Sequence, residues 1–476
     1  MNKFLTLLIS VLVFSLGSSA QNEVIGNKCR MIVLTDIGNE PDDSQTMVRL
    51  MLYSNQIDIE GLIATTSIHR QKDIGVDMIK KIVAAYGKVQ PNLLLHEKGF
   101  PTGQELMDKV KAGCDVYGMA GVGKGKQSEG SEWIIKMIDQ NDPRPLWITA
   151  WGGTNTLAQA LWKLRETRSK TELDRIIKKL RVYTISDQDD AGFWIRETFK
   201  DLFYIVSPCP YKKATWCAWT APAKGEHETV NSNEWIEKNI QQGHGPLGAC
   251  YPDVSFGNEG DTPSWLGLIP NGMNDYEHPN WGGWGGRYEL YTPTFDPNDK
   301  WIFPLKPETR PIWTNAVDEY TPFVHSSFGA EVKPDTVTIK DNFVTLWRWR
   351  EAIQNDFAAR MNWCNTKYSE ANHAPVVVLN NPDRMTVKSG QKFRVDASPS
   401  YDPDGDALSF LWILYKEAGT NKADYNPGSY PNTPFMPNVQ APKVSKPETM
   451  HLIVCVTDKG TPRLTRYKRV IVTVVP

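Results

Sequence analysis

The stretch Met31-Ile-Val-Leu-Thr-Asp-Ile-Gly-Asn-Glu-Pro-Asp-Asp-Ser44 joins an apolar run to four acidic residues crowded into eight positions. Met31 to Leu34 reads as a short buried strand, and Gly38 and Pro41 mark the tight loop that ends it. Asp36 therefore falls at the C-terminal end of a strand. From Asp42 the spacing of Met47, Leu50 and Met51 turns helical, which puts Asp42 and Asp43 at a helix start. In open α/β sheets, ligands bind outside the carboxyl ends of strands, beside the helix N-termini that follow. Asp36, Asp42 and Asp43 thus occupy the expected place for chemistry.

Carboxylates this close repel one another unless some are protonated or a metal neutralises them. Oxygen donors without a nearby His or Cys point to a hard cation, Ca²⁺ before Mg²⁺. Helix capping explains Asp42 or Asp43 alone, because aspartate is favoured at helix N-termini. It does not explain Asp36 as well.

Working outward, residues 30 to 210 repeat a strand-then-helix rhythm. Strands are predicted at Ile57–Thr65, Pro145–Ala150, Arg181–Ser186 and Leu202–Val206, and helices around Val76–Tyr86, from Thr154, and near Phe193–Lys200. Such alternation implies a mostly parallel sheet with helices on both faces. Residues 208 to 330 are loop-rich and dense in Pro, Gly, Trp and Asn; Phe343–Met361 reads as one long helix closing this domain. Glu129 and Glu132 read as helix-surface residues.

After Asn372-His-Ala-Pro375 the pattern changes to short β-branched and aromatic segments at 376–379, 392–395, 408–414, 451–456 and 469–475. These predict an antiparallel β-sandwich of about 100 residues. Ala397 to Trp412 resembles the hairpin of polycystic-kidney-type and related immunoglobulin-like modules. Asp402, Asp404 and Asp406 there suit either a plain Asp/Gly turn, the favoured reading, or a calcium loop.

The chain opens with Lys3, an apolar segment Phe4–Leu16 and small residues up to Ala20, the pattern of a cleaved signal peptide. The domain expectation is therefore a signal peptide at 1–20, an α/β domain at 21–371 and an all-β immunoglobulin-like domain at 372–476. A secreted or periplasmic protein follows, with no membrane insertion. A formal net charge of −2 gives no electrostatic case for nucleic acid. The seven cysteines lack metal-ligand spacing. Whether the chain forms a homo-oligomer is left open.

Tryptophan is over-represented, with 17 residues, several of them flanked by glycine: Trp151-Gly-Gly153 and Trp281-Gly-Gly-Trp-Gly-Gly-Arg287. Buried aromatics of a large domain and walls of a sugar cleft are both possible readings. For the 281–287 loop, with Trp281, Trp284, Arg287 and the nearby His278, the functional one is favoured. His244, between glycines, has weaker grounds.

Leu34-Thr-Asp-Ile-Gly-Asn-Glu-Pro-Asp-Asp-Ser44 also resembles the amino-terminal calcium motif of the nucleoside hydrolases. Trp151-Gly-Gly-Thr-Asn-Thr-Leu-Ala158 is similar to that family's Gly-x-x-Thr-Asn-x-Ala segment, and Gly260-Asp-Thr-Pro-Ser-Trp-Leu-Gly-Leu-Ile269 to its late aspartate opening a helix. The likeness spans roughly residues 29 to 365. With the sandwich appended, the chain resembles secreted bacterial nucleoside-hydrolase-like proteins often labelled cellulose-binding.

The resemblance implies that Asp36 is a calcium ligand and the base orienting an attacking water. It makes Asp43 and Asp261 further ligands, with a carbonyl near Ala150 as a neutral one. Asp42 and Asn155 are implied sugar contacts. The chain also departs from the family: the metal loop is two residues longer, and Gly260 stands where a leaving-group histidine is usual. Ala64-Thr-Thr-Ser-Ile-His69 replaces a sugar-binding Asn, leaving Thr66, Ser67 or His69 as substitutes. Asp187-Gln-Asp-Asp190 stands at the strand end of later sugar contacts. The expectation is a calcium-dependent glycosidase acting on a carbohydrate or glycoside. A non-catalytic carbohydrate-binding protein and a true nucleoside N-ribohydrolase are the alternatives. Aryl pentosides and nucleosides discriminate among them.

Overall fold

The computed structural model describes residues 28–220, 228–255, 257–295, 306–325, 332–334, 337–422 and 433–476. The expected signal peptide lies outside the described residues. Among those described, no helix is long and apolar enough to cross a membrane.

Eight strands form one sheet: β1 (Cys29–Thr35), β2 (Ile57–Ala64), β3 (Val110–Ala112), β4 (Leu146–Ala150), β5 (Leu180–Thr184), β6 (Phe203–Val206), β7 (Tyr288–Tyr291) and β8 (Ile312–Asn315). Their order is β3-β2-β1-β4-β5-β6-β8-β7, parallel throughout except for the antiparallel edge strand β7. Strand β1 is buried along its whole length, which is why its sequence is a continuous apolar run and not an alternating one. Its side chains still divide by parity: Met31 and Val33 pack with Met47, Val48 and Ile79 on one face, Ile32 and Leu34 with Ile134, Leu157 and Ile195 on the other.

The chain runs from β1 outward to β2, then returns to lay β4 on β1's other side. The strand order therefore reverses between β1 and β4, and a crevice opens at their carboxyl ends.

Two antiparallel pairs follow, β9 (Asp318–Tyr320) with β12 (Ile339–Asp341) and β10 (Phe323–His325) with β11 (Val332–Pro334). The closing segment is not one helix as the sequence suggests. It breaks into Val344–Trp347 and Arg350–Asn362, with Trp349 at φ −106°. Trp347 packs on Tyr320, whereas Trp349 packs on Tyr415 and Tyr467. The break thus falls between two rings that belong to different packing neighbourhoods.

The remaining strands are β13 (Arg384–Lys388), β14 (Lys392–Asp396), β15 (Ser409–Leu414), β16 (Phe435–Gln440), β17 (Glu448–Thr457) and β18 (Thr465–Val475). They form a four-stranded sheet, β13-β18-β17-β15, and a two-stranded one, β14-β16. Val395 and Val439 of the small sheet share a core with Trp412, Val454 and Val472 of the large one, as in a sandwich. In the Asp402 loop, the Asp402 carboxylate accepts the N–H groups of Asp404 and Asp406, and Asp404 accepts from His373. These bonds make it a turn that also holds the start of the domain. At the junction between domains, the N–H groups of Tyr467 and Arg469 in β18 donate to the carbonyls of Asn271 and Gly272.

Candidate functional site

Asp36 is the first residue beyond β1 and is buried. The turn behind it requires glycine at position 38, where φ is +103° and a Cβ would lie 2.2 Å from the Arg70 guanidinium. Asp42 and Asp43 form the first turn of the helix Asp42–Leu52, where the backbone dipole favours negative charge. Asp261 arrives from far along the chain, just before the short helix Pro263–Leu266.

A pair of residues from both segments sets that approach. Glu259 has φ +47°, unusual for a side-chain-bearing residue. Its carboxylate is held by Arg49 of the Asp42–Leu52 helix, by the Tyr251 hydroxyl at 2.6 Å and by the Thr262 hydroxyl at 2.7 Å. The distant aspartate is thereby tied to the helix that carries the two near ones.

Asp42, Asp43 and Asp261 each offer a carboxylate oxygen within 4.8 Å of the others, the one such group among the described residues. Asp36 is outside this tightest trio but acts on it electrostatically. Burial, then Asp36 and Asp42, holds Asp43 well above the usual carboxylate range; burial, then Asp43, Asp42 and Asp36, does the same to Asp261. Burial pushes Asp36 up to about 7, with Asp42 and Glu40 adding and a Ser67 hydrogen bond opposing. Half-buried Asp42 is pushed to about 6 by desolvation and Glu40. Thr35 donates its hydroxyl proton to Asp43. Asp261 Oδ2 is buried with no hydrogen-bond partner among the described residues. A buried lone pair left open costs energy unless something answers it. An all-oxygen donor set of this kind fits a hard divalent cation.

The segment after β4 shapes the crevice wall. Asp36 Oδ1 lies where a Cβ on Gly152 would come to 2.7 Å, so glycine makes room for the carboxylate. Trp151 is fully buried, and its indole donates to Ser264, which donates to the Asp261 carbonyl. The Gly-flanked Trp151 thus supports the acidic crevice and is no ring platform. The Ala150 carbonyl accepts the Ile185 N–H at 2.9 Å, serving the sheet.

Against these geometric facts stand three comparisons. Residues 30–288 match the model of the cellulose-binding Sde182 nucleoside hydrolase-like domain, and residues 392–474 that of the cellulose-binding protein Sde0182 C-terminal domain. The chain belongs to this Sde182 family. A solved structure of a nucleoside hydrolase-related hypothetical protein from Saccharophagus degradans, associated with carbohydrate metabolism, is 34% identical, with a TM-score of 0.77 over 94% of this chain and 100% of that one. The effector protein XOO4466 is 13% identical with a TM-score of 0.29 over 60% of this chain and 87% of its own, too little for any inference. No curated protein matches in sequence.

Within this Sde182-type scaffold, the other expected residues have separate places. Thr66 and Asn155 are buried beside the crevice, joined by a 2.9 Å hydrogen bond; Asn155 also donates to the Val116 carbonyl and accepts from Thr65. Asp187 is spent on a bidentate pair with Arg196 at 2.7 and 2.8 Å. It is Asp189, pushed up to about 7 by burial, that closes on the Thr154 hydroxyl and the Asn155 and Ala191 N–H groups.

The Trp-Gly loop lies at the domain junction, so the sugar-wall reading of its residues needs correction. Trp284 is fully buried, with its indole 3.3 Å from the Tyr467 hydroxyl. Trp281 stacks on His278 with centroids 3.8 Å apart and meets His451 edge-on. Arg287 is consumed by Asp318, Glu289 and the Val317 carbonyl.

Sequence reasoning missed Tyr211. It lies 3.0 Å from His69 Nε2, and Asp36, Glu40, Asp261 and Asp42 all raise its pKa after burial, which sets it near the acidic group. Only its position after β6, another strand carboxyl end, could have signalled this.

Proposed function

We propose that the chain is an exported, calcium-dependent glycosidase that hydrolyses a glycosidic bond of a carbohydrate or glycoside. The convergence of Asp36, Asp42, Asp43 and Asp261 at the sheet's switch point, with the buried Asp261 Oδ2 open, carries this reading. Asp36, Asp43 and Asp261 would hold the ion, and Asp42 a sugar hydroxyl. A bound calcium ion would supply positive charge that eases deprotonation of the attacking water and a grip on sugar hydroxyls.

Asp36, at the end of β1 and held by Ser67, accepts the proton of the attacking water. As the water oxygen bonds to the anomeric carbon, the bond to the leaving group breaks with its electron pair, through an oxocarbenium-like transition state. Asp42 orients the sugar ring for that attack.

A second reading, a cellulose-binding protein without turnover, is favoured by the family's description. The burial of Trp284 and the stacking of Trp281 weaken it, because glycan platforms need open rings.

Titration calorimetry with calcium chloride tests the metal. Binding is expected in the wild type and lost in Asp36→Ala and Asp43→Ala; no heat in the wild type removes the calcium model. Turnover of 4-nitrophenyl pentosides and plant-glycan oligosaccharides, set against inosine and uridine, separates glycosidase from nucleoside hydrolase. Retention on insoluble cellulose with every substrate inert establishes the second reading.

A further inference from the structure

Ser67 follows β2 by three residues and is fully buried. Its hydroxyl accepts the N–H of His69 at 2.9 Å and of Arg70 at 3.1 Å, and meets Asp36 Oδ2. A hydroxyl has two lone pairs and one proton. With both lone pairs facing N–H donors, the proton has one direction left, toward Asp36.

The loop that presents this hydroxyl is itself fixed. The Ser67 N–H donates to the Arg70 carbonyl at 3.0 Å, and the Ile68 N–H to the Gln188 carbonyl at 2.7 Å. Arg70 returns to the Ile37 carbonyl, in the turn just after Asp36. On the carboxylate's other side, Gly152 leaves no space beyond its own Cα. Thr35 repeats the arrangement for Asp43: its Oγ1 accepts the Ile37 N–H at 3.1 Å and donates to Asp43 Oδ1.

We propose that Ser67 is a positioning residue that holds Asp36 by Oδ2 and so fixes the carboxylate that takes the proton of the attacking water. This rests on the hydrolase reading above. Ser67 touches neither substrate nor the reacting atoms; it acts through Asp36. Without it, Asp36 keeps its charge and its place in the chain but turns about its side-chain bonds. Misplacement of a reacting group by about 1 Å costs on the order of a hundredfold in rate.

The test uses the full chain without its first 20 residues and 4-nitrophenyl pentofuranosides as probes. Ser67→Ala is expected to lower kcat roughly 10- to 100-fold with KM within about twofold. Ser67→Thr, which keeps the hydroxyl, is expected to restore kcat to within about threefold. Calcium affinity by calorimetry is expected to weaken in Ser67→Ala, because Asp36 also holds the ion, and to stay near wild type in Ser67→Thr. Wild-type kcat in Ser67→Ala overturns the proposal, as does an equal loss in the Ala and Thr variants. A raised KM with kcat intact also overturns it, since Ser67 would then contact substrate. If Ser67→Ala melts too early to assay, Ser67→Cys replaces it: an intermediate kcat supports positioning, a wild-type kcat does not. A wild type inert on every probe overturns the hydrolase reading and this role together. An active wild type, a dead Asp36→Ala and an unaffected Ser67→Ala overturn this role alone.

Discussion

The acidic crevice and the domain junction both bury charge, and they handle it in opposite ways. At the junction the main buried acid and base answer each other: Arg287 donates to Asp318 at 2.6 Å and to Glu289 at 2.8 Å, and Asp318 accepts the Tyr415 hydroxyl at 2.6 Å. In the crevice the carboxylates raise one another's pKa, and hydrogen bonds are what oppose that rise at Asp36, Asp42 and Asp43. Balanced buried charge is architecture. Unbalanced buried charge, kept at the carboxyl edge of a parallel sheet, is the mark of a candidate functional site.

The sharpest way to break this contrast is to remove one charge from each region. Arg287→Ala takes the nearest cation from buried Asp318, leaving it the Tyr415 hydroxyl and Arg348 at 3.6 Å, and should cost about 3 kcal/mol in urea unfolding. Asp43→Asn in EDTA should instead stabilise, because it relieves repulsion; equal losses in both variants would erase the distinction. Next in size is calcium itself, which at roughly 100 times its Kd should add about 2.7 kcal/mol, an increment absent in Asp261→Asn.

pH separates the regions more gently. Asp36, with its folded value near 7 against 3.8, binds in the folded state a proton that the unfolded chain has released. The metal-free protein should therefore lose stability as pH climbs from about 4 through about 7. Wild type minus Asp36→Asn isolates that slope in denaturant melts, and a rising difference would contradict it. The smallest effect belongs to an exposed pair: Glu132→Ala, which breaks a 2.7 Å contact with Lys163, should change stability by about 0–1 kcal/mol.

The sheet was readable because Met31–Leu34 of β1 and most of β4 are the apolar runs that a doubly covered parallel strand needs. Asp36, Asp42 and Asp43 were readable because strand end, turn and helix start lie within one short segment. Asp261 emerged only through resemblance, since its approach depends on the Arg49–Glu259 pair, more than 200 residues apart in sequence. Glycine beside tryptophan left Trp151 open and misled at the 281–287 loop. At Trp151 the glycines clear space for Asp36 and Asp189, and at Trp281 and Trp284 the rings hold two domains together. Asp187 looked like a ligand from its strand end, but Arg196, nine residues on, claims it. The Trp347–Trp349 break depended on rings of the other domain, which helical periodicity cannot register.

The bonds from Tyr467 and Arg469 to Asn271 and Gly272 join β18 to a loop ten residues past Asp261. The segment bearing the far carboxylate is thereby braced from the second domain as well as by the Arg49–Glu259 pair. A load on the sandwich reaches an acid of the α/β domain, so the smaller domain serves as a strut of the crevice and not only as an appendage to it.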